Sequence, residues 1–253
     1  MTIISLLLLA SLLPHLTFAA HVDVGIVNGT EAKPHSRPYM VSLQKSCKHV
    51  CGGFLISGRF VMTAAHCRKK NEKLTAVVGA HELHKINEGS VRIGVKSYHK
   101  HPDFNNSTYQ NDIMLLRLEK EVEQNEKVMR ISIPTQDEDN KAYSACSVAG
   151  WGKLSLNGKK SKRLMEADVK IMKNTECKNK WQYKFSASQM MCVYGHGGSC
   201  ERDGGGPLVC GDTAVGITSF GDPKVCNRRE RPEVYTKIST YLEWICSIIT
   251  HVK

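Results

Sequence analysis

After its first twenty residues this sequence has no apolar run approaching the roughly 20 residues that a membrane-spanning helix needs, which excludes a later helical anchor. It has no internal repeat, which excludes architectures stacked from similar units. A low-complexity linker is missing too, and with it the signature of two loosely tethered domains. Acidic residues are in short supply: 24 Asp and Glu stand against 35 Lys and Arg, a formal net charge of +11. Residues 1–25 carry Asp23 and no Lys or Arg, so without them the charge rises to +12. A surplus of this size favours polyanions as partners.

What is present points to the secretory route. MTIISLLLLASLLPHLTFAA is a short apolar core followed by small residues, the pattern of a signal peptide. Thr17 and Ala19 favour cleavage after Ala19. The expected organisation is a signal peptide at 1–19, a short activation segment at 20–25, and a soluble folded domain at 26–253. The expected destination is the extracellular space or a secretory granule. Ten cysteines in such a chain imply a disulfide framework, which composition alone cannot pair. Three Asn-x-Ser/Thr sequons, at Asn28, Asn105 and Asn106, fit the same compartment, although the adjacent pair is not expected to be glycosylated together.

The basic residues concentrate in Arg68, Lys69 and Lys70, in Lys159, Lys160, Lys162 and Arg163, and in Arg228, Arg229 and Arg231. They read either as solvated loops or as a face for an anionic glycosaminoglycan or membrane surface, with strong salt dependence. Specific nucleic-acid binding is not expected, because no aromatic-plus-basic motif accompanies them. HELH at His81–His84 has its histidines three apart, against the four of the helical zinc motif, so no metal and no cofactor are expected.

Short β-rich runs bounded by turn residues dominate: PYMVSLQ, GGFLISGRFVMTAAH, KLTAVVGA, VRIGVKSY, DIMLLRL, CSVAGWG, PLVC, TAVGITSF and EVYTKI. They predict an all-β barrel or sandwich. From Ile238, Tyr241, Leu242, Ile245, Ile248 and Ile249 recur at helical spacing and predict a C-terminal amphipathic helix packed on the last strands. If there are two lobes, their boundary falls in the polar stretch 119–140.

Read in order from Ile26, IVNG, CGGFLI, TAAHC, NDIMLLRL, VAGWG, DGGGPLVC and SFGDP resemble the chymotrypsin-like serine proteases across essentially the whole mature chain. PHSRPYMVSLQ is similar to the granzyme, mast-cell protease and cathepsin G branch. The resemblance implies two antiparallel β-barrels, about 26–130 and 131–253, with a cleft between them and a terminal α-helix. A monomer is expected. It also implies the disulfides Cys51–Cys67, Cys146–Cys210, Cys177–Cys192 and Cys200–Cys226. Cys47 and Cys246 are left over, to bridge, stay free or link chains.

In that family an imidazole takes the proton of an attacking serine hydroxyl, and a buried carboxylate orients the imidazole. His66 and Asp112 match the base and the carboxylate, but the serine position holds Gly204, which has no hydroxyl to activate. Ser199 and Ser219 match other family positions and are not expected to substitute. Arg202 and Gly204 match the oxyanion donors. Arg202 stands where glycine is usual, and its Cβ opposes a positive φ, so the hole is expected to be distorted. Ile26 and Asp203 match the activation ion pair, formed after cleavage behind Gly25. Gly198, Ser199, Ser219, Phe220, Gly221 and Glu233 match the specificity pocket. There Glu233 either attracts a Lys or Arg side chain or pairs with Arg228, Arg229 or Arg231 and blocks it. The expected protein is a secreted or granule pseudoprotease acting through cationic binding, in the manner of azurocidin-like defence proteins. Protein or peptide ligands in its cleft are a further expectation. The alternative is an active serine endopeptidase whose functional form carries serine at 204.

Overall fold

The computed structural model describes residues 26–85, 89–137 and 140–252. The expected signal peptide, its cleavage site and the 20–25 segment lie outside them. A two-residue strand, β1 (Thr30–Glu31), precedes β2 (Met40–Lys45), β3 (Lys48–Leu55), β4 (Phe60–Thr63), β5 (Thr75–Val78), β6 (Val91–Lys100) and β7 (Met114–Leu118). The last six close an antiparallel barrel in the order β2-β3-β4-β7-β6-β5. After the 119–140 connection come β8 (Ala145–Gly150), β9 (Met165–Ile171), α1 (Asn174–Trp181), β10 (Met190–Tyr194), β11 (Pro207–Cys210), β12 (Thr213–Phe220), β13 (Glu233–Lys237) and α2 (Leu242–His251). Because β8 pairs with both β9 and β11, the six later strands also form a closed ring.

Local chemistry explains the hairpins. The β2–β3 turn is Ser46–Cys47, with φ of 47° and 62°. Two successive positive φ values are those of a type I′ turn, whose twist matches the strands it joins. Strand β7 is buried along its whole length and pairs on both sides, with β4 and β6. The described residues of the 119–140 stretch form no strand between β7 and β8.

One expectation needs correction. Residues 26–31, counted with the first barrel, belong to the second: β1 pairs with β9, and the fully buried Ile26 packs among Cys146, Val193, Leu208 and Tyr235. The apolar Ile26 side chain finds its burial there. The C-terminal helix α2 is formed as expected, and Ile245, with Tyr241 just before the helix and part-buried Trp244 and Ile248, packs in a core cluster that takes in Val209, Ala214 and Ile217 of β11 and β12 as well as first-barrel residues. Tyr241 and Trp244 flank the His101 ring at 5.3 and 5.2 Å, and Tyr241 Oη donates to Asn111 Oδ1. The helix thus ties the two lobes together.

All four disulfides implied by the resemblance are formed. Cys47 and Cys246 are exposed and free.

Candidate active site

The first barrel contributes a base and a carboxylate because of strand register. Thr63 at the end of β4 pairs with Met114 at the start of β7. His66, three residues beyond β4 in a 3-10 turn, therefore meets Asp112, two residues before β7. The His66 backbone N–H donates to Asp112 Oδ1 at 2.9 Å, and His66 Nδ1 donates to Oδ2 at 2.7 Å. Asp112 is fully buried, and the Ser219 hydroxyl from β12 donates to the same Oδ2. With Nδ1 committed as donor, Nε2 is the acceptor that faces the second lobe. Tyr109 sets its ring edge against His66 at 5.7 Å and reaches Phe220 at 5.3 Å.

Opposite Nε2 stands Gly204. Its carbonyl accepts from Gly52 N–H at 2.9 Å, while Gly205, at φ 83°, donates to Thr218 O. A Cβ built on Gly204 would lie 2.6 Å from His66 Nε2 and 3.0 Å from Cε1, so the imidazole occupies the space where a side chain would begin. The neighbouring hydroxyls are engaged elsewhere: Ser199 with Tyr235 Oη, Ser219 with Asp112, Thr63 with the Gly52 carbonyl.

Arg202 does adopt positive φ, 78°. The expected distortion is therefore absent at this dihedral, and the backbone accepts strain of about 1–3 kcal/mol instead. What holds it is His49 on β3, whose Nε2 donates to Arg202 O at 3.1 Å while Nδ1 accepts from Ser42 Oγ at 2.8 Å. This pattern requires a neutral imidazole, and burial pushes the His49 pKa down to about 4. The N–H groups of Arg202 and Gly204 donate to no described residue, and both residues line the cleft.

Asp203 points the other way, into the second barrel. Its carboxylate accepts from Gly152 N at 2.8 Å and Cys200 N at 3.0 Å. Gly150 and Gly152 of the GWG motif vacate the room it fills, since a Cβ on either would overlap it. Among the described residues Asp203 makes no ion pair, and burial raises its pKa to about 7. Ile26 is buried in the same barrel and Val27 bridges Gly198, but the residue-26 nitrogen is an amide while its bond to Gly25 stands.

The cleft has a volume of about 380 Å³ and reaches from His66, Gly204 and Arg202 to Ser219, Phe220, Gly221 and Glu233. Gly198 and Ser199, expected at the pocket base, do not line it; Asn227 covers Gly198. The Glu233 carboxylate packs on Gly221 and accepts from Asn227 N. Burial, with Asp203 and Asp222 nearby, raises its pKa to about 8. None of the three arginines neutralises it: Arg228 bridges Arg231, Arg229 lies over Tyr194, and Arg231 turns to Asp222 and Trp181. The blocked alternative is thus not the one adopted.

Sequence reasoning missed His49, Tyr109 and Asn227, none of which stands in a recognisable motif. The HELH loop is an inter-barrel contact: His81 Nε2 bonds Glu31 Oε1 at 2.9 Å, and its carbonyl accepts from Trp151 Nε1. Among the described residues, the one grouping of metal-type side chains is Cys51, His66 and Cys67, whose two sulfurs are joined as a disulfide.

The trypsin family model matches residues 26–245. Granzyme M of Rattus norvegicus is 38% identical over 251 residues, covering 96% of each chain. Mast cell protease 3 of Ovis aries is 38% identical over 229 residues and 87% of each chain. The solved structure of neuropsin, a serine protease expressed in the limbic system of mouse brain, superposes with a TM-score of 0.82 at 34% identity. It covers 88% of this chain and 100% of its own. Two closed barrels, a cleft between them built on His66 and Asp112, and likeness at this level over nearly full length lead to one conclusion: the chain belongs to the chymotrypsin-like serine protease family.

Proposed function

We propose that this protein is a non-cleaving member of its family that acts by binding. The observation that carries the reading is Gly204: the residue facing His66 Nε2 has no hydroxyl, and the imidazole stands only 2.6 Å from where its Cβ would be. Acyl-enzyme chemistry begins with proton transfer from a nucleophile to that nitrogen, and loss of a triad nucleophile costs about 10⁶ in turnover in a subtilisin-type site. The test is labelling of the mature protein, cleaved after Gly25, with a fluorophosphonate probe. No label is expected; stoichiometric label would overturn the reading.

The binding half rests on charge and on the open cleft. A net charge of +11 supports attraction to sulfated glycosaminoglycans or anionic membranes, and heparin retention that falls steeply with salt is expected. The exposed sequons at Asn28, Asn105 and Asn106 and the apolar leader support a secreted or granule-stored glycoprotein. The Glu233 carboxyl, which pairs with none of the three arginines, supports a cleft that accepts a Lys or Arg side chain. An active enzyme with serine at 204 is the alternative, favoured by the two undonated N–H groups of Arg202 and Gly204.

A further inference from the structure

A second charged centre lies at the Arg202 end of the cleft. The 152–161 hairpin is closed by the Lys153–Lys160 bridge and held to the Arg202 loop by Lys153 N–H donating to Glu201 O at 2.9 Å. The β2–β3 hairpin is held to the same loop through His49 and Arg202, whose Nη1 donates to His49 O at 3.3 Å. Lys160, Lys48 and Arg202 are thereby brought together from three separate segments. The local acid is Glu201, and Lys153 engages it at 2.6 Å, while Arg202 Nε stands 3.8 Å from its other oxygen. Among the described residues Lys48 and Lys160 make no ion pair. Burial first, then the charges of Arg202 and Lys48, lower the Lys160 pKa, so the three cations repel one another while the site is empty.

Arginine at positive φ is a strained choice, and here it lines the cleft with a guanidinium close to two lysines. We propose that this end of the cleft binds the acidic side chains of a peptide lying in it, with Arg202, Lys160 and Lys48 as the recognising groups. A peptide is the occupant the geometry favours, because Arg202, which carries the cluster, also lines the cleft together with Tyr109, Leu156 and Phe220. The proposal deepens the reading of the cleft as a ligand site and rests on it.

The test uses the mature full chain and three fluorescein-labelled decapeptides on one alanine-rich scaffold. They carry two glutamates in the N-terminal half, two in the C-terminal half, or glutamines throughout. One glutamate peptide is expected to bind about tenfold more tightly than the glutamine peptide at low salt. That preference should vanish in Lys160→Glu and in Arg202→Gln and persist in Arg228→Ala, with folding checked by circular dichroism. Equal binding of all three peptides overturns this inference and leaves the cleft reading standing. No binding by any of them overturns both. A heparin hexasaccharide whose binding depends on Lys160 and Arg202, while no peptide shows a preference, would assign the site to a polysaccharide and also overturn it.

Discussion

Restoring the hydroxyl, Gly204→Ser, separates what the backbone has kept from what it has lost. A Cβ at 204 meets His66 Nε2 at 2.6 Å, several tenths of an ångström inside ordinary contact, so the ring must retreat. Asp112 restrains that movement through two hydrogen bonds, and overpacking of this kind costs about 1–3 kcal/mol. The variant should therefore be less stable by that amount, read as a lower denaturant midpoint. Its activity is decided by Arg202. If the N–H of Arg202 is presented as φ 78° implies, Gly204→Ser alone should label with fluorophosphonate, and adding Arg202→Gly should change the labelling rate by less than about tenfold. A missing oxyanion donor would instead separate the single and double variants by about 10²–10³. The assay is the second-order labelling rate of folded protein cleaved after Gly25. Labelling of the double variant but not the single one would refute the claim that Arg202 keeps the hole's backbone. Labelling of neither would refute the placement of His66 and Asp112 as a working pair.

Further expectations concern stability and charge. With the Gly25–Ile26 bond intact, Asp203 and Glu233 hold their protons to about pH 7 and 8, whereas the unfolded chain releases them near 3.8 and 4.5. The folded state then binds more protons, so their contribution is fully present below about pH 4 and falls by roughly 4 kcal/mol per group as pH rises to 8. Urea denaturation at pH 4, 6 and 8 should show Glu233→Gln losing less stability than the parent across that range. In the mature form, p-aminobenzamidine should bind through Glu233 with proton release at pH 7, measured by calorimetry in buffers of different ionisation enthalpy; no linked proton would contradict a protonated empty site. Replacing Cys146 and Cys210 by serine opens a loop of 64 residues and should cost about 4 kcal/mol, while Cys47→Ser should be within about 0.5 kcal/mol of the parent in thermal unfolding. Gly152→Ala should be severely destabilising by the same measurement, because its Cβ would fall on the buried Asp203 carboxylate.

Motif-borne groups were legible because the chemistry is local: His66 in TAAHC and Asp112 in NDIMLL share two hydrogen bonds, and Asp203 in DGGGP is buried on the Gly152 and Cys200 N–H groups. Strands β9 and β10 were not, for a physical reason. Along β9 the exposed face carries Glu166, Asp168 and Lys170, so the apolar signal thins, and β10 is a short run with no turn motif to frame it. Helical spacing identified the apolar face of α2, but not that the surface receiving it would also include His101 of the first lobe. The sign of φ at Arg202 is likewise invisible in residue type: side-chain chemistry argued against it, and two hydrogen bonds through His49, 153 residues away, imposed it. The floor of the cleft failed for a similar reason, since Asn227 covers Gly198 through contacts that no spacing encodes.

The survival of His66 and Asp112 beside a glycine does not by itself argue for activity, because both now have structural work that needs no nucleophile. Asp112 is completely buried and its carboxylate accepts from the His66 backbone, the His66 ring and the Ser219 hydroxyl, while its carbonyl accepts from Thr236 Oγ1. Those bonds join the first barrel to β12 and β13 of the second. Removing the His66 imidazole would leave a buried carboxylate short of a donor, a loss of about 1–3 kcal/mol or more, and removing Asp112 would strand three donors at once. Asp203 is held by the same logic, seated in a space that Gly150 and Gly152 leave empty for it. Gly204 differs from all of these: it brings no side chain to the cleft, and its own hydrogen bonding, the carbonyl accepting from Gly52 N–H, is backbone that any residue supplies. Of the parts that catalysis requires, the nucleophile is the one the barrels can lose without unmaking themselves.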